Sequence, residues 1–208
     1  MTLMRMRMRV LGAAAALLAA AGCGEKSTSG LGGGPRASFK SIDITGAEYA
    51  RKLELPDADG KMRSLTEFKG KVVVVFFGYT QCPDVCPTTM AELSQVRRAL
   101  GPDAERLQGI FVTVDPERDT AELLASYVPA FHRSFLGLRG DAEATAKTAK
   151  EFKVFYQKSP GSSPDNYSVD HTAATFIYDP QGRLRLFAKH GSGADVLTQD
   201  VKLLIAGR

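Results

Sequence analysis

Six consecutive residues, Val72-Val73-Val74-Val75-Phe76-Phe77, constrain this chain more than any other stretch. β-Branched and aromatic side chains favour extended backbone. A strand that is apolar at every position is one whose two faces are both covered. The run therefore predicts a central strand packed between helices, in an α/β domain. It breaks at Gly78. Tyr79-Thr80-Gln81-Cys82-Pro83-Asp84-Val85-Cys86-Pro87 follows, and then Met90, Leu93, Val96, Arg97 and Leu100 recur at helical spacing until Gly101-Pro102. Cys82 and Cys86 thus fall between the end of a buried strand and the start of a helix.

The flanking sequence completes the alternation. Asp59-Gly60, inside Tyr49 to Leu65, predicts the turn of a hairpin. Gly109 to Val114 reads as a second buried strand. Asp115-Pro116 after it suits a helix start, with Asp as cap and Pro in the first turn; Leu123, Leu124, Tyr127 and Val128 would be that helix's apolar face. Asp141 to Tyr156 predicts another helix, and Ser159 to Ser168 is a polar segment rich in Ser and Pro. Thr175 to Tyr178 and Leu184 to Phe187 are strands around the turn signal Asp179-Pro180-Gln181-Gly182. Ala194 to Ala206 closes the chain as a helix. The order ββαβαα-ββα describes an α/β sandwich with parallel strands first and an antiparallel pair last.

The N-terminus reads as a targeting segment. Arg5, Arg7 and Arg9 precede Val10 to Gly22, 13 residues without a charge. That is short of the roughly 20 residues a spanning helix needs, and it suits the apolar region of an export signal. Ala20-Ala21-Gly22-Cys23 resembles a bacterial lipobox with Ala20 where Leu is usual, which makes Cys23 the lipid attachment point. A cleaved signal with a spare thiol, or a retained N-terminal anchor, is the other reading. The chain therefore divides into a signal over 1–22, a Gly/Ser-rich tether over 23–40 and a domain over 41–208. The full chain carries a net charge of +4. Removing residues 1–22 takes three Arg and no acid, leaving 24 basic and 23 acidic residues, a net of +1. The basic balance gives no support for nucleic-acid binding.

Thiols at a helix N-terminus meet backbone N–H groups and the helix dipole, which favour the thiolate. If residues 82–86 form one turn, the spacing brings both sulfurs to one side, as a disulfide or a metal clamp. Dithiol oxidoreductases typically use Cys-x-x-Cys, whereas here three residues intervene. Soft thiolates select copper(I), zinc or iron–sulfur clusters. Two domain cysteines disfavour clusters and structural zinc, which mostly take four protein ligands; copper(I) accepts fewer. A third ligand would come from the three histidines. His171 lies just before a strand expected to start near the first helix. His132 looks like surface and His190 lies near a turn. Asp115, at the end of the neighbouring strand, is a helix cap, a weak copper(II) contact or a hydrogen-bond partner of a ligand. Tyr79 and Asp84 could shield the thiolates, although packing and turn formation account for both.

Val74 to Thr89, with its Cys82-Pro83-Asp84-Val85-Cys86-Pro87 core, closely resembles the signature of the Sco/SenC copper-chaperone family. Val114-Asp115-Pro116-Glu117-Arg118-Asp119-Thr120, Val169-Asp170-His171-Thr172, Asp43-Ile44-Thr45-Gly46 and Leu65 to Lys71 are similar to its further motifs. The resemblance runs from about Phe39 to the C-terminus. It implies a thioredoxin-like sandwich with an N-terminal β-hairpin extension. It implies copper, as Cu(I) or Cu(II), held by Cys82, Cys86 and His171. It also implies support for the binuclear copper centre of cytochrome c oxidase from the periplasm. The lipid anchor would place the domain at a membrane, with the outer face of the inner membrane expected, although Gly24 after Cys23 leaves the sorting between membranes open. Expected partners are the copper-bearing oxidase subunit, other periplasmic copper carriers and thiol reductases, and the membrane through the lipid anchor.

Two functions share these residues. One is a copper metallochaperone. The other is an enzyme, a thiol–disulfide oxidoreductase in which Cys82 or Cys86 attacks and the other resolves, keeping the oxidase cysteines reduced. A peroxiredoxin-like peroxidase shares the strand–cysteine–helix layout but not the Cys-Pro-Asp-Val-Cys-Pro loop, and a copper- or redox-sensing role is compatible with the same site.

Overall fold

The computed structural model describes residues 38–163 and 166–208. The expected signal and tether, with Cys23, lie outside the described residues apart from 38–40. Phe39 and Lys40 already touch the domain: Asp200 accepts from the Lys40 and Ser41 amides at 2.7 and 2.8 Å, and Phe39 packs on the core.

The described chain runs β1 (Ile42–Asp43), β2 (Glu54–Pro56), β3 (Met62–Ser64), β4 (Val72–Gly78), α1 (Val85–Ala99), β5 (Leu107–Thr113), α2 (Ala121–Phe131), β6 (Leu136–Leu138), α3 (Ala142–Glu151), β7 (Tyr156–Ser163), β8 (Asn166–His171), β9 (Ala174–Tyr178), β10 (Leu184–Lys189) and α4 (Ala194–Ile205). Six strands form one sheet in the order β1-β10-β9-β4-β5-β6. The Val72–Phe77 run is central, parallel to β5 with Val72 opposite Leu107, and antiparallel to β9 with Val75 opposite Phe176.

Alternation along β4 explains why all of it is apolar. Phe76 points to one face, where its ring meets Phe111 at 6.1 Å. Phe77 points to the other, 4.9 Å from Phe152 and 6.1 Å from Phe176. α1 and α4 pack together against the first face, and the Tyr127 ring of α2 lies 5.7 Å from Phe111 on that side. Phe152, at the end of α3, covers the second. This is the thioredoxin-like sandwich, and β2–β3 is the N-terminal hairpin, its turn closed by Gly60 at a φ of +80° that favours glycine.

Two expectations need correcting. No helix starts at Asp115-Pro116: α2 begins at Ala121, capped by the Thr120 side chain, which accepts from the Leu123 amide. α3 ends at Glu151, and Tyr156 already belongs to a strand. The polar Ser159 to Ser168 stretch falls in the β7–β8 hairpin, with Tyr156 opposite His171. Among the described residues no helix is long and apolar enough to cross a membrane.

Candidate metal centre

β4 delivers the chain to the site and Gly78 makes room for it. A Cβ built at Gly78 would stand 2.7 Å from Cys86 Sγ, 2.9 Å from Phe76 Cε1 and 3.0 Å from Phe111 Cε2. The first turn of α1 therefore crosses directly over the strand end. Pro87 fits that first turn, where no partner is needed for the missing N–H. Cys86 is fully buried and Cys82 nearly so. Both are free thiols, with the Cys86 amide donating to Cys82 Sγ at 3.4 Å. The expected turn over 82–86 does not close: the Cys82 amide donates to the Tyr79 carbonyl at 3.2 Å, 82–84 are irregular and the helix starts at Val85. It is the bond from the Cys86 amide to Cys82 Sγ that brings the two cysteines together.

His171 comes from the end of β8. Its Nδ1 lies 3.0 Å from the Val169 carbonyl oxygen, which can only accept. Nδ1 therefore carries the proton and Nε2 presents a lone pair, 3.8 Å from Cys86 Sγ. Phe76 and Tyr79 approach this ring edge-on, with centroids at 6.4 and 5.8 Å. Tyr79 thus walls the histidine. Among the described residues no three His, Cys, Asp or Glu side chains converge on one point ready for a metal ion; Cys86 and His171 face each other while Cys82 is engaged with the helix N–H.

The electrostatics run against one expectation. The helix N-terminus favours thiolate, yet burial pushes the Cys86 thiol far up from its ordinary value. Desolvation outweighs the dipole because the side chain reaches no water. Burial thus favours the protonated thiol at Cys86, and a soft cation binding there would displace that proton.

Asp115 is placed beside the site without entering it. Its buried carboxylate accepts from Tyr167 Oη at 2.8 Å and from Arg118 Nε at 2.5 Å. Arg118 also donates to the Tyr167 carbonyl at 2.8 Å and to Gln81 Oε1 at 3.2 Å, and its guanidinium lies 3.5 Å from the Tyr167 ring centroid. One cation thus ties the β5–α2 connection, the β7–β8 hairpin and the cysteine loop together. Asp119, fully buried, accepts from Thr80 Oγ1 at 2.6 Å and Thr113 Oγ1 at 2.5 Å. It anchors the start of the loop that carries Cys82. The sequence reading missed the roles of Arg118, Asp119 and Tyr167; the first two stand in the 114–120 motif, which was the available signal. Asp84 holds Thr88 Oγ1 at 3.3 Å, a turn role. His132 is half-buried against Arg97 rather than plain surface, and His190 bonds Thr89.

The family model described as SCO1/SenC matches residues 43–206. The mitochondrial SCO2 homolog of Bos taurus is 37% identical over 152 residues, covering 72% of this chain and 57% of its own length. The chain thus spans little more than half of that relative. A structure of Bradyrhizobium japonicum ScoI with copper bound is 37% identical, with a TM-score of 0.67 over 74% of this chain and 97% of that one. Apo Sco1 from Thermus thermophilus is 42% identical, with a TM-score of 0.73 over 82% of this chain and 99% of its own. A cysteine pair over a buried strand end, a histidine facing it and a family match over nearly the whole described domain lead to one conclusion: the chain belongs to the SCO1/SenC family.

Proposed function

We propose that this protein is a copper metallochaperone that binds its cargo through Cys82, Cys86 and His171 and supports assembly of the binuclear copper centre of cytochrome c oxidase. The observation that carries the reading is the 3.8 Å approach of His171 Nε2 to Cys86 Sγ, with Nδ1 fixed on Val169 and Cys82 Sγ on the Cys86 amide. An imidazole nitrogen facing one thiol, with a second thiol next to that one, suits a soft ion of low coordination number. The copper-bound Bradyrhizobium japonicum relative supports the cargo. Loading would move Cys82 Sγ off the Cys86 amide and displace the thiol protons. Tyr79, Phe76 and the hairpin would hold His171 in place throughout. Cys23 would carry a lipid after removal of 1–22, with 23–40 tethering the domain on the outer face of the inner membrane. The oxidase's copper-bearing subunit, other periplasmic copper carriers and thiol reductases are the partners in this reading.

The oxidoreductase reading rests on the two free thiols. It takes second place: Cys86, fully buried with a raised pKa, is a poor attacking group, and the histidine facing Cys86 has a use in metal binding that disulfide exchange does not call for.

The test is a copper titration of the reduced protein, following the sulfur-to-copper(II) charge-transfer band. Wild type should give one intense band. Cys82→Ala and Cys86→Ala should lose it, and His171→Ala should weaken copper(II) binding by at least about tenfold while retaining some copper(I). A wild type without a band, or a Cys82→Ala variant indistinguishable from it, overturns the assignment.

A further inference from the structure

His190 is the one histidine whose free nitrogen has no role in what precedes, and its surroundings place it at the rim of the cysteine–histidine site. Thr89 Oγ1 donates its single proton to the Val85 carbonyl at 2.8 Å. The same oxygen lies 3.1 Å from His190 Nδ1. With the hydroxyl proton already engaged, Nδ1–H must donate to Thr89. For the neutral imidazole the tautomer is thereby set, with the lone pair on Nε2 of an exposed residue.

Two contacts locate this lone pair. Thr89 stands three residues after Cys86 on α1 and is buried on the same face. Side chains at that spacing have Cβ atoms roughly 5–6 Å apart, so the imidazole on Thr89 stands about one helical turn from Cys86. The His190 amide donates to the Ala173 carbonyl at 3.0 Å, two residues beyond His171. His190 therefore bridges the helix that begins at the cysteines and the segment that leaves His171. Its Nδ1–H is held by a neutral acceptor, the arrangement that orients a histidine for ligation through its other nitrogen.

We propose that His190 Nε2 is an outer ligand for copper(I), taking the ion at the surface before it passes to Cys82, Cys86 and His171, and receiving it again on release. This rests on the metallochaperone reading. The step is ligand exchange: a Cu–N bond to His190 breaks as a Cu–S bond to a cysteine forms. The thiol proton leaves to water, and copper stays in the +1 state. An outer ligand suits this site because the inner thiols are buried while His190 is exposed, so an incoming ion needs an accessible donor to hold it meanwhile.

The experiment measures the rate at which full-length reduced protein withdraws copper(I) from its coloured bicinchoninate complex, together with the final affinity. Wild type, His190→Ala and His190→Asn are compared. Asn places an amide N–H near the Nδ1 position and keeps the Thr89 hydrogen bond but has no counterpart of Nε2. Both variants should load about tenfold more slowly, with final affinity within about twofold of wild type. Equal loading rates for wild type and His190→Asn overturn the proposal. A slow Ala variant beside a normal Asn variant also overturns it, because the residue then only braces α1. Failure of the underlying reading shows in wild type alone, as no copper taken from bicinchoninate.

Discussion

Gly78 is the residue on which the site's closeness depends. Its backbone has no need of glycine's conformational range, since it is a regular strand residue. What it supplies is absence of bulk, as a Cβ there would reach to within 2.7 Å of Cys86 Sγ and 3.0 Å of Phe111. Neither neighbour has room to retreat, because both are fully buried. Gly78→Ala should therefore cost about 1–3 kcal/mol, the usual range for overpacking a dense core, seen as a lower urea midpoint. It should also weaken copper binding, since relief of the clash moves Cys86 Sγ. An Ala variant with wild-type midpoint and titration would contradict the close approach. In sequence Gly78 was legible only as the end of a strand. Its purpose depends on α1 crossing the strand end, a contact no local pattern encodes. The two cysteines stood out by their place between a buried strand and a helix, whereas His171 was set apart from two other histidines only by its place before a strand and by the family resemblance; the Cys86 pKa was not legible, because the helix dipole is a local effect and burial is not.

The elements divide the same way. β4, β5 and the helices were legible from apolar runs and helical spacing. The β7–β8 hairpin was not, although it delivers His171. Half of its β8 strand is exposed and Val169 alone is buried, so no apolar alternation marks it. What holds it to the sheet domain is polar: Asp115, Arg118 and Tyr167, with Arg118 stacked on the Tyr167 ring. The Asp-Pro pair that suggested a helix cap belongs instead to this clamp. Asp115 is fully buried in its side chain and Arg118 is 13% exposed. Removing one partner of such a pair leaves the other charge poorly solvated. Asp115→Asn should thus cost about 3 kcal/mol, the low end for a buried pair given the residual exposure of Arg118. Tyr167→Phe, which deletes one hydrogen bond, should cost about 1 kcal/mol. Hydrogen exchange locates the effect: the Asn variant should exchange faster through 166–171 with β4 and β5 unchanged. Uniform loosening of the whole sheet would show that the clamp serves the core rather than the hairpin.

Across the whole molecule, α1 runs from the cysteine end to the opposite end, where it carries a buried cation. Arg97 falls on the apolar spacing of α1 and is indeed buried, at 4% exposure. Its guanidinium donates to the Leu107 carbonyl at 2.9 Å, to the Ala104 carbonyl, to Glu105 and, from Nε, to His132 Nε2 at 3.1 Å. His132 Nε2 can accept only when unprotonated, and a charged imidazole would face Arg97 as a second cation. Burial, with Arg97 and Arg133 beside it, holds the His132 pKa below its ordinary value, with Glu105 opposing. The unfolded chain takes up a proton near pH 6.5, and the folded one resists until lower pH. Between those points the unfolded state binds more protons, so stability falls as pH drops through about 6.5 and levels once the folded pKa is passed. Glu105, whose pKa is lowered by Arg97, adds its loss only below the ordinary carboxylate range, so the two windows separate. Asp119, raised by burial, acts in the opposite sense. Wild type should therefore lose urea midpoint between about pH 7.5 and about pH 5.5. His132→Asn cannot titrate there; it should start less stable at the upper pH and change less across the window. Parallel curves for the two proteins would assign the acid sensitivity to another group.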